Sequence, residues 1–134
     1  MSDDSPVREL RLALTVPDFD RALAFYRDAL GLPQLADWST ETGRVIVLDA
    51  GRATIELLDE PQAATVDEIE VGRRVAGSVR VALEVVDSAA AGERLVAAGA
   101  ERLGGPVETP WRDRNVRLRA PDGLQLTLFT PLDV

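Results

Sequence analysis

The stretch "LALTVPDFDRALAFYRDALGL", residues 12–32, contains the signals for a strand, a capped helix and a helix stop. Asp18 stands where a side chain would cap the first helical turn, and Gly31 stands where the helix would end. Between them, apolar residues recur at helical spacing, which predicts one buried helix face. The residues of this face are Ala22, Phe25, Tyr26, Ala29 and Leu30. We therefore expect both aromatic residues of the helix to lie in the core.

The beginning of this unit occurs a second time in the chain. The segment "LALTVPD" (12–18) is matched by "VALEVVD" (81–87), an offset of 87 − 18 = 69 residues. Each segment ends in an Asp that is placed to cap a following helix. The second helix is predicted from Ser88 to about Ala98, with Gly99 as its stop. The repeat predicts two structural modules of the same design.

Strands follow each predicted helix. The segments "RVIVLDAGRATIELL" (44–58) and "NVRLRAPDGLQLTLF" (115–129) each read as two strands joined by a tight turn. Segments near 34–39 and 101–108 supply one further strand in each half. The predicted order is therefore β-α-β-β-β, twice, which indicates an α+β fold.

We predict a single domain over 1–134, with module one at 7–58, a linker at 59–77 and module two at 78–131. The linker, "DEPQAATVDEIEVGRRVAG", is polar, bounded by glycine and long for a connection. We interpret it as either a covering loop or part of a subunit interface.

The composition excludes several classes of function. The chain has 134 residues and a formal charge of −8, which argues against a nucleic-acid partner. It has no Cys for disulfides and no His, so a Ser–His–Asp arrangement is excluded. No apolar run approaches the roughly 18 residues of a membrane span, and "MSDDSPVREL" is not a secretory signal. We expect a cytoplasmic protein without a membrane partner.

The chain resembles the vicinal oxygen chelate superfamily, which includes glyoxalase I, extradiol dioxygenases, fosfomycin-resistance enzymes and bleomycin-binding proteins. Five stretches carry the resemblance, in the family's order and over nearly the whole chain. They are "LALTVPDFDRALAFYRDALGL", "ATIELLDE", "RVALEVVD", "TPW" and "APDGLQLTLF". The resemblance implies two βαβββ modules forming a curved, half-open cup of eight strands (glyoxalase-like), usually in a homodimer.

The resemblance also implies where relatives that use a metal hold it, namely on the first and last strand of each module, commonly with His, Glu, His and Glu. In this chain those positions fall on Arg11, Glu56, Arg80 and Thr127. Arginine has no acceptor atom and stays protonated, so it cannot ligate a cation. We therefore predict no metal and no cofactor, although a hard cation held by Glu56, Glu84 and backbone oxygens stays an alternative.

Strand alternation predicts which side chains face the cup. The predicted ligand-binding set combines these Arg and polar side chains with two tryptophans near the mouth. It consists of Arg11, Arg52, Glu56, Arg80, Glu84, Arg117, Thr127, Trp38 and Trp111. One interpretation is a set of internal ion pairs, with Arg11 and Arg80 neutralised by Glu56, Glu84 or Glu9. The other is a site where Arg side chains grip a small anionic molecule. The two tryptophans either pack at the rim of the cup or are buried in a dimer interface, or they stack on a bound ligand.

The favoured function is a metal-free protein that binds a small molecule, anionic or aromatic, as bleomycin-binding proteins do. The alternatives are a metal-independent lyase or isomerase with Glu56 or Glu84 as base, a dioxygenase-type metal enzyme, and a partner-binding protein with a filled cup. No catalytic residue is assigned. A carboxylate beside Arg should have a lowered pKa and act as a weak base at neutral pH, which favours binding over catalysis.

Overall fold

Two strand–helix units build one continuous sheet in the computed structural model, which describes residues 6–132. The strands of that range are β1 (Glu9–Thr15), β2 (Gln34–Asp37), β3 (Val45–Asp49), β4 (Thr54–Leu58), β5 (Val79–Glu84), β6 (Glu101–Glu108), β7 (Asp113–Arg119) and β8 (Gln125–Pro131). Its helices are α1 (Phe19–Leu23), which continues into a π-helical turn (Ala24–Ala29), α2 (Glu60–Glu70) and α3 (Ser88–Ala97). No helix in the described range has the length and apolarity needed to cross a membrane.

The sheet has the strand order β2-β3-β4-β1-β5-β8-β7-β6 and is open at its two edges. The repeated strands β1 and β5 pair antiparallel at its centre, and each pairs in parallel with the last strand of its own module. In this register Ala13 stands opposite both Glu56 on β4 and Arg80 on β5. The predicted α+β fold of two βαβββ modules is confirmed, and the pairing gathers the cup positions of both modules at the centre.

The predicted helix caps are present in both modules. The side chain of Asp18 accepts a hydrogen bond from the backbone N–H of Arg21 at 3.1 Å. Asp87 accepts one from the N–H of Ala90, also at 3.1 Å. Such a bond satisfies one of the free N–H groups in the first helical turn, so the repeat fixes where each helix begins.

The first helix departs from the prediction after Leu23. The backbone widens into the π-helical turn, which changes the angular spacing of the following side chains. Tyr26 still packs against the core of module one, but Phe25 is 61% exposed and meets Tyr26 edge-on, with ring centroids 5.1 Å apart. The prediction that Phe25 lies in the core is therefore wrong, because it assumed a regular α-helix.

Helices α1 and α3 cover one face of the sheet, and α2 covers the other. In module one Phe19 and Leu23 pack with Leu57, whereas the next residue, Leu58, packs with Val66 of α2. In module two the corresponding core cluster is Val85, Ala91, Val116, Leu118 and Leu128. Successive strand residues thus point to opposite faces, as the alternation predicted.

The linker, which we interpreted as either a covering loop or part of a subunit interface, contains the helix α2. Asp59 caps α2 by accepting from the N–H of Gln62 at 2.9 Å, and Pro61 stands in its first turn. The helix packs so closely on the sheet that a Cβ atom at Gly104 would lie 2.0 Å from the carbonyl oxygen of Glu70. The cup is therefore roofed by a helix that is held in place by close backbone contact.

Candidate functional site

A cavity of about 500 Å³ lies between the concave face of the sheet and α2. This volume is within the roughly 300–1,000 Å³ that is usual for small-molecule sites. Its apolar walls are formed by Val45, Leu58, Val66, Ala82, Phe129, Pro110 and the two tryptophans. Its polar lining comprises Arg11, Thr40, Glu56, Gln62, Glu70, Arg80, Asp113, Asn115 and Thr127. The cup is therefore neither filled by its own side chains nor uniformly polar.

Six of the nine residues in the predicted ligand-binding set line this cavity. They are Arg11, Trp38, Glu56, Arg80, Trp111 and Thr127. Four of them lie on the adjacent strands β4, β1, β5 and β8, where the pairing of Ala82 with both Arg11 and Thr127 brings the two modules together. The four positions at which metal-using relatives hold their ion thus lie in one cavity.

The other three predicted residues lie outside the lining. Arg52 precedes β4, in the turn, where strand alternation no longer holds, and it borders a separate depression. Glu84 is the last residue of β5 and pairs in register with Glu9. Arg117 faces the cup from β7 but is completely buried behind the lining, against α2.

Arg11 is neutralised inside the protein. Its Nε donates to Glu9 Oε2 at 2.8 Å, as the ion-pair interpretation predicted. The guanidinium also lies against two aromatic rings, 5.2 Å from the centroid of Trp38 and 4.6 Å from that of Phe129. Burial works against the charged form, but the hydrogen bond and charge of Glu9 outweigh it and raise the pKa of Arg11 above its ordinary value. Arg11 is therefore a fixed, paired cation.

Arg80 is buried without such a partner. Arg80 is only 7% exposed. Its Nη1 donates a hydrogen bond to the neutral hydroxyl of Thr127 at 2.9 Å. Within residues 6–132, no carboxylate lies at ion-pair distance from this guanidinium. The ion pair predicted for Arg80 with Glu56, Glu84 or Glu9 is therefore not formed. A buried charge without a counter-charge is costly.

Glu56 lines the cavity, and its carboxyl group has a raised pKa. Burial raises its pKa above the ordinary value, and the opposing charges of Arg80 and Arg11 do not compensate, while Glu70 and Glu9 add to the rise. We expected neighbouring Arg residues to lower this pKa, and that expectation is wrong because desolvation is the larger effect here. Burial likewise raises the pKa of Asp113 on β7, against the charge of Arg11 and a hydrogen bond from Trp111.

A buried polar network behind the lining joins α2 to the sheet. Arg117 Nη1 donates to Asp67 Oδ1 at 2.8 Å, and its Nε donates to Glu70 Oε1 at 3.0 Å. Its Nη2 lies 2.9 Å from the same Glu70 oxygen, an ion-pair contact without the geometry of a hydrogen bond. Thr127 Oγ1 accepts from both Arg117 and Arg80 and donates to Glu70 at 3.2 Å. The hydroxyl of Thr127 therefore links the pairs of α2 to Arg80.

The acidic residues of α2 were missed by the sequence analysis because the linker was interpreted as a covering loop or part of a subunit interface. A signal for the helix was present, since Asp59 and Pro61 are typical of a helix start. Asp67 is held as a carboxylate: burial favours its neutral form, but the backbone N–H groups of Ala76 and Val75, together with Arg117, lower its pKa. The linker thus supplies the buried acidic groups Asp67 and Glu70 as well as exposed charged residues such as Glu60.

Comparison with known proteins identifies the family. The family model for the Glyoxalase/Bleomycin resistance protein/Dioxygenase superfamily matches residues 10–128. The chain belongs to this superfamily. No curated protein matches the chain closely enough to be counted as a relative.

Solved structures of this superfamily fold superpose over nearly the whole chain. Methylmalonyl-CoA epimerase from Mycobacterium tuberculosis has a TM-score of 0.68 at 20% identity, covering 98% of this chain and 93% of its own. The Streptomyces coelicolor epimerase in complex with 2-nitronate-propionyl-CoA gives 0.66 at 21%, covering 95% and 99%. A hypothetical protein from Bacillus halodurans gives 0.69 at 17%, covering 92% and 94%. At these identities the likeness concerns the fold.

The metal that many members of the superfamily use does not fit the residues found here. Two of the four implied ligand positions hold guanidinium groups, which have no lone pair to donate and would repel a cation. The remaining two offer one carboxyl and one hydroxyl group, and that hydroxyl is engaged with Arg80, Arg117 and Glu70. The guanidinium groups at these positions offer hydrogen-bond donors and no metal ligands.

Removal of Arg117 tests the network that holds α2. Arg117→Met should lower the free energy of unfolding by about 3–5 kcal/mol, because Glu70 would lose its ion-pair partner and Asp67 would keep only Arg74. Arg119→Met is the matched control on the same strand, since Arg119 pairs with Glu101 at the surface and should change stability by less than about 1 kcal/mol. Urea unfolding measures both, and equal losses would contradict the assignment.

The raised pKa of Glu56 predicts a pH-dependent effect of Glu56→Gln. The folded protein favours the protonated carboxyl, so the stability contributed by Glu56 is lost as the pH rises from its ordinary value of 4.5 through the higher value in the fold. The uncharged variant should therefore gain in melting temperature, relative to the parent protein, as the pH rises above 4.5. Thermal unfolding followed by circular dichroism checks this, and a difference that is constant or shrinks with pH would refute it.

Proposed function

We propose that this protein binds a small anionic molecule in the cavity beneath α2, without a metal, and that Arg80 holds the anionic group. The observation that carries the proposal is the buried guanidinium of Arg80, which has no carboxylate at ion-pair distance among the described residues. An anionic ligand would supply the missing counter-charge and accept charge-assisted hydrogen bonds. Arg11 and Arg117 have carboxylate partners within the chain. For Arg80, the ligand would provide this partner.

The walls of the cavity support a ligand with an apolar body. Trp38 and Trp111 are 48% and 43% exposed, and both belong to the cavity lining, together with Phe129. Tryptophan faces contribute strongly to binding when a flat or apolar group covers them. In this proposal, Arg11 does not bind the anionic group directly, because it is already paired with Glu9. It contributes its positive charge and its contact with the ring of Trp38.

One related fold agrees with a role in binding an anion. A structure of methylmalonyl-CoA epimerase in complex with methylmalonyl-CoA and NH4+ shares this fold, with a TM-score of 0.67 at 21% identity, covering 97% of this chain and 98% of its own. The ligand of that protein is an anion. The homodimer and the cytoplasmic location expected from the sequence stay predictions, and light scattering of the purified protein tests the first of them.

An isomerase or lyase that needs no metal is the second candidate. It is favoured by the raised pKa of Glu56, since a carboxylate with a raised pKa is a better proton acceptor near neutral pH. Arg80 lines the same cavity and would stabilise negative charge that develops on an oxygen atom of the substrate. For any ligand found, exchange of a carbon-bound proton in D2O distinguishes this candidate. An enzyme shows exchange that Glu56→Gln abolishes, whereas a binding protein shows none.

The first test combines metal analysis with a ligand screen. Mass spectrometry of the purified, tag-free protein should show no stoichiometric metal, and a metal that Glu56→Gln loses would overturn the metal-free proposal. A screen of small organic anions, followed by quenching of tryptophan fluorescence, should then find ligands whose affinity falls about 10- to 100-fold in Arg80→Gln, the range expected for hydrogen bonds to a charged group. Unchanged affinity in that variant would show that Arg80 is purely structural.

A further inference from the structure

We propose that the cavity selects a monocarboxylate with a flat aromatic body, bound with the carboxylate inward on Arg80 and the ring between the tryptophans. The inference rests on the proposed function and names its class of ligand. Three observations carry it: the charge pairing of the cavity, the free edge of the Arg80 guanidinium, and the distribution of aromatic side chains around the opening.

The charge pairing of the cavity singles out Arg80. Arg11 is paired with Glu9, and Glu70 shares Arg117 with Asp67. Arg80 is the cation of the lining that has no such pair among the described residues. A ligand with one negative charge would supply that partner.

A second negative charge on the ligand would be opposed by the carboxyl groups of the lining. Glu56, Glu70 and Asp113 all line the cavity. Glu70 accepts hydrogen bonds from Asn115 and Arg117, and the carboxyl groups of Glu56 and Asp113 would face a dianion across the cavity. Like charges at short distance in such a space repel strongly. The cavity is thus matched to a monoanion and disfavours a phosphate dianion or a dicarboxylate.

The shape of the free hydrogen-bonding edge favours a carboxylate. Arg80 is held through Nη1 by Thr127, whose hydroxyl is fixed in turn by Glu70 and Arg117. The Nε and Nη2 atoms of Arg80 have no hydrogen-bond partner among residues 6–132, and they form one planar edge of the guanidinium. Two parallel N–H groups on such an edge match the two oxygens of a carboxylate.

The aromatic side chains lie where the body of such a ligand would be. Phe129 is buried on β8, next in register to Glu84 and close to Arg11, whereas Trp38 and Trp111 are half-exposed members of the same lining. Arg80 and Thr127 thus lie on the central strands β5 and β8, whereas the two half-exposed tryptophans lie outside the strands, in the connections after β2 and before β7. This division orients a ligand that is charged at one end and flat and apolar at the other.

A probe series with one ring and different head groups tests the inference. Calorimetric titration with benzoate, benzamide, phenyl phosphate, terephthalate and acetate separates the effects of charge, head-group geometry and ring. Benzoate should bind at least about tenfold more tightly than each of the others. Arg80→Gln should remove the preference for benzoate over benzamide. Arg119→Gln, which changes a surface ion pair on β7, should leave all affinities unchanged.

The outcomes distinguish this inference from the proposed function. Tighter binding of phenyl phosphate or terephthalate, still dependent on Arg80, would overturn the monocarboxylate and leave an anion site in place. Equal binding of acetate and benzoate would overturn the aromatic body. If none of the anions binds, or if Arg80→Gln binds benzoate as well as the parent protein does, both proposals fail. Arg80→Lys provides a second variant, which keeps the charge but loses the planar edge and should lose most of the preference for benzoate.

Discussion

The ion pairs of Arg117 with Asp67 and Glu70 determine what kind of site this fold contains. All three side chains are buried, and they join α2 to the middle of module two. Because α2 is held there, the concave face of the sheet becomes a cavity rather than an open groove. Arg117 also helps to lower the pKa of Asp67 and binds Glu70, which makes the linker part of the electrostatics of the site. A helix that was merely packed on the sheet would not have this effect.

The three arginines that face the cup show how one residue type takes different roles in one protein. Arg117 forms ion pairs with acidic residues of α2. Arg11 is paired with Glu9 and lies against the rings of Trp38 and Phe129. Arg80 has the same chemistry and comparable burial, yet no carboxylate reaches it among the described residues. Its position is set indirectly, through the Thr127 hydroxyl that Glu70 and Arg117 orient. Whether a buried arginine is free to bind a ligand therefore depends on whether it already has a carboxylate partner, and its burial alone does not show this.

The local patterns of the sequence were enough to predict most of the fold. Strand alternation, the capping residues Asp18 and Asp87 and the internal repeat are determined within a few residues, and all reappear in the structure. The exposure of Phe25 and the pKa of Glu56 were predicted wrongly for a different reason. The first depends on a π-helical turn, and the second on how burial compares with the charges of Arg80 and Arg11. Both depend on three-dimensional packing, which cannot be predicted from the spacing of residues in the sequence.

The same arrangement is compatible with binding and with proton transfer, and the ligand decides between them. Where metal-using relatives would hold a divalent ion, this cavity has guanidinium groups, which offer positive charge and N–H donors but cannot lower the pKa of a coordinated water molecule. Such groups can hold an anion or stabilise an oxyanion. Glu56 lies in the same cavity with a raised pKa, so it could accept a proton only from a ligand that places an acidic C–H group beside it. A benzoate-like molecule has no such proton and would simply stay bound. The choice between binding and proton transfer therefore depends on whether the ligand carries such a proton.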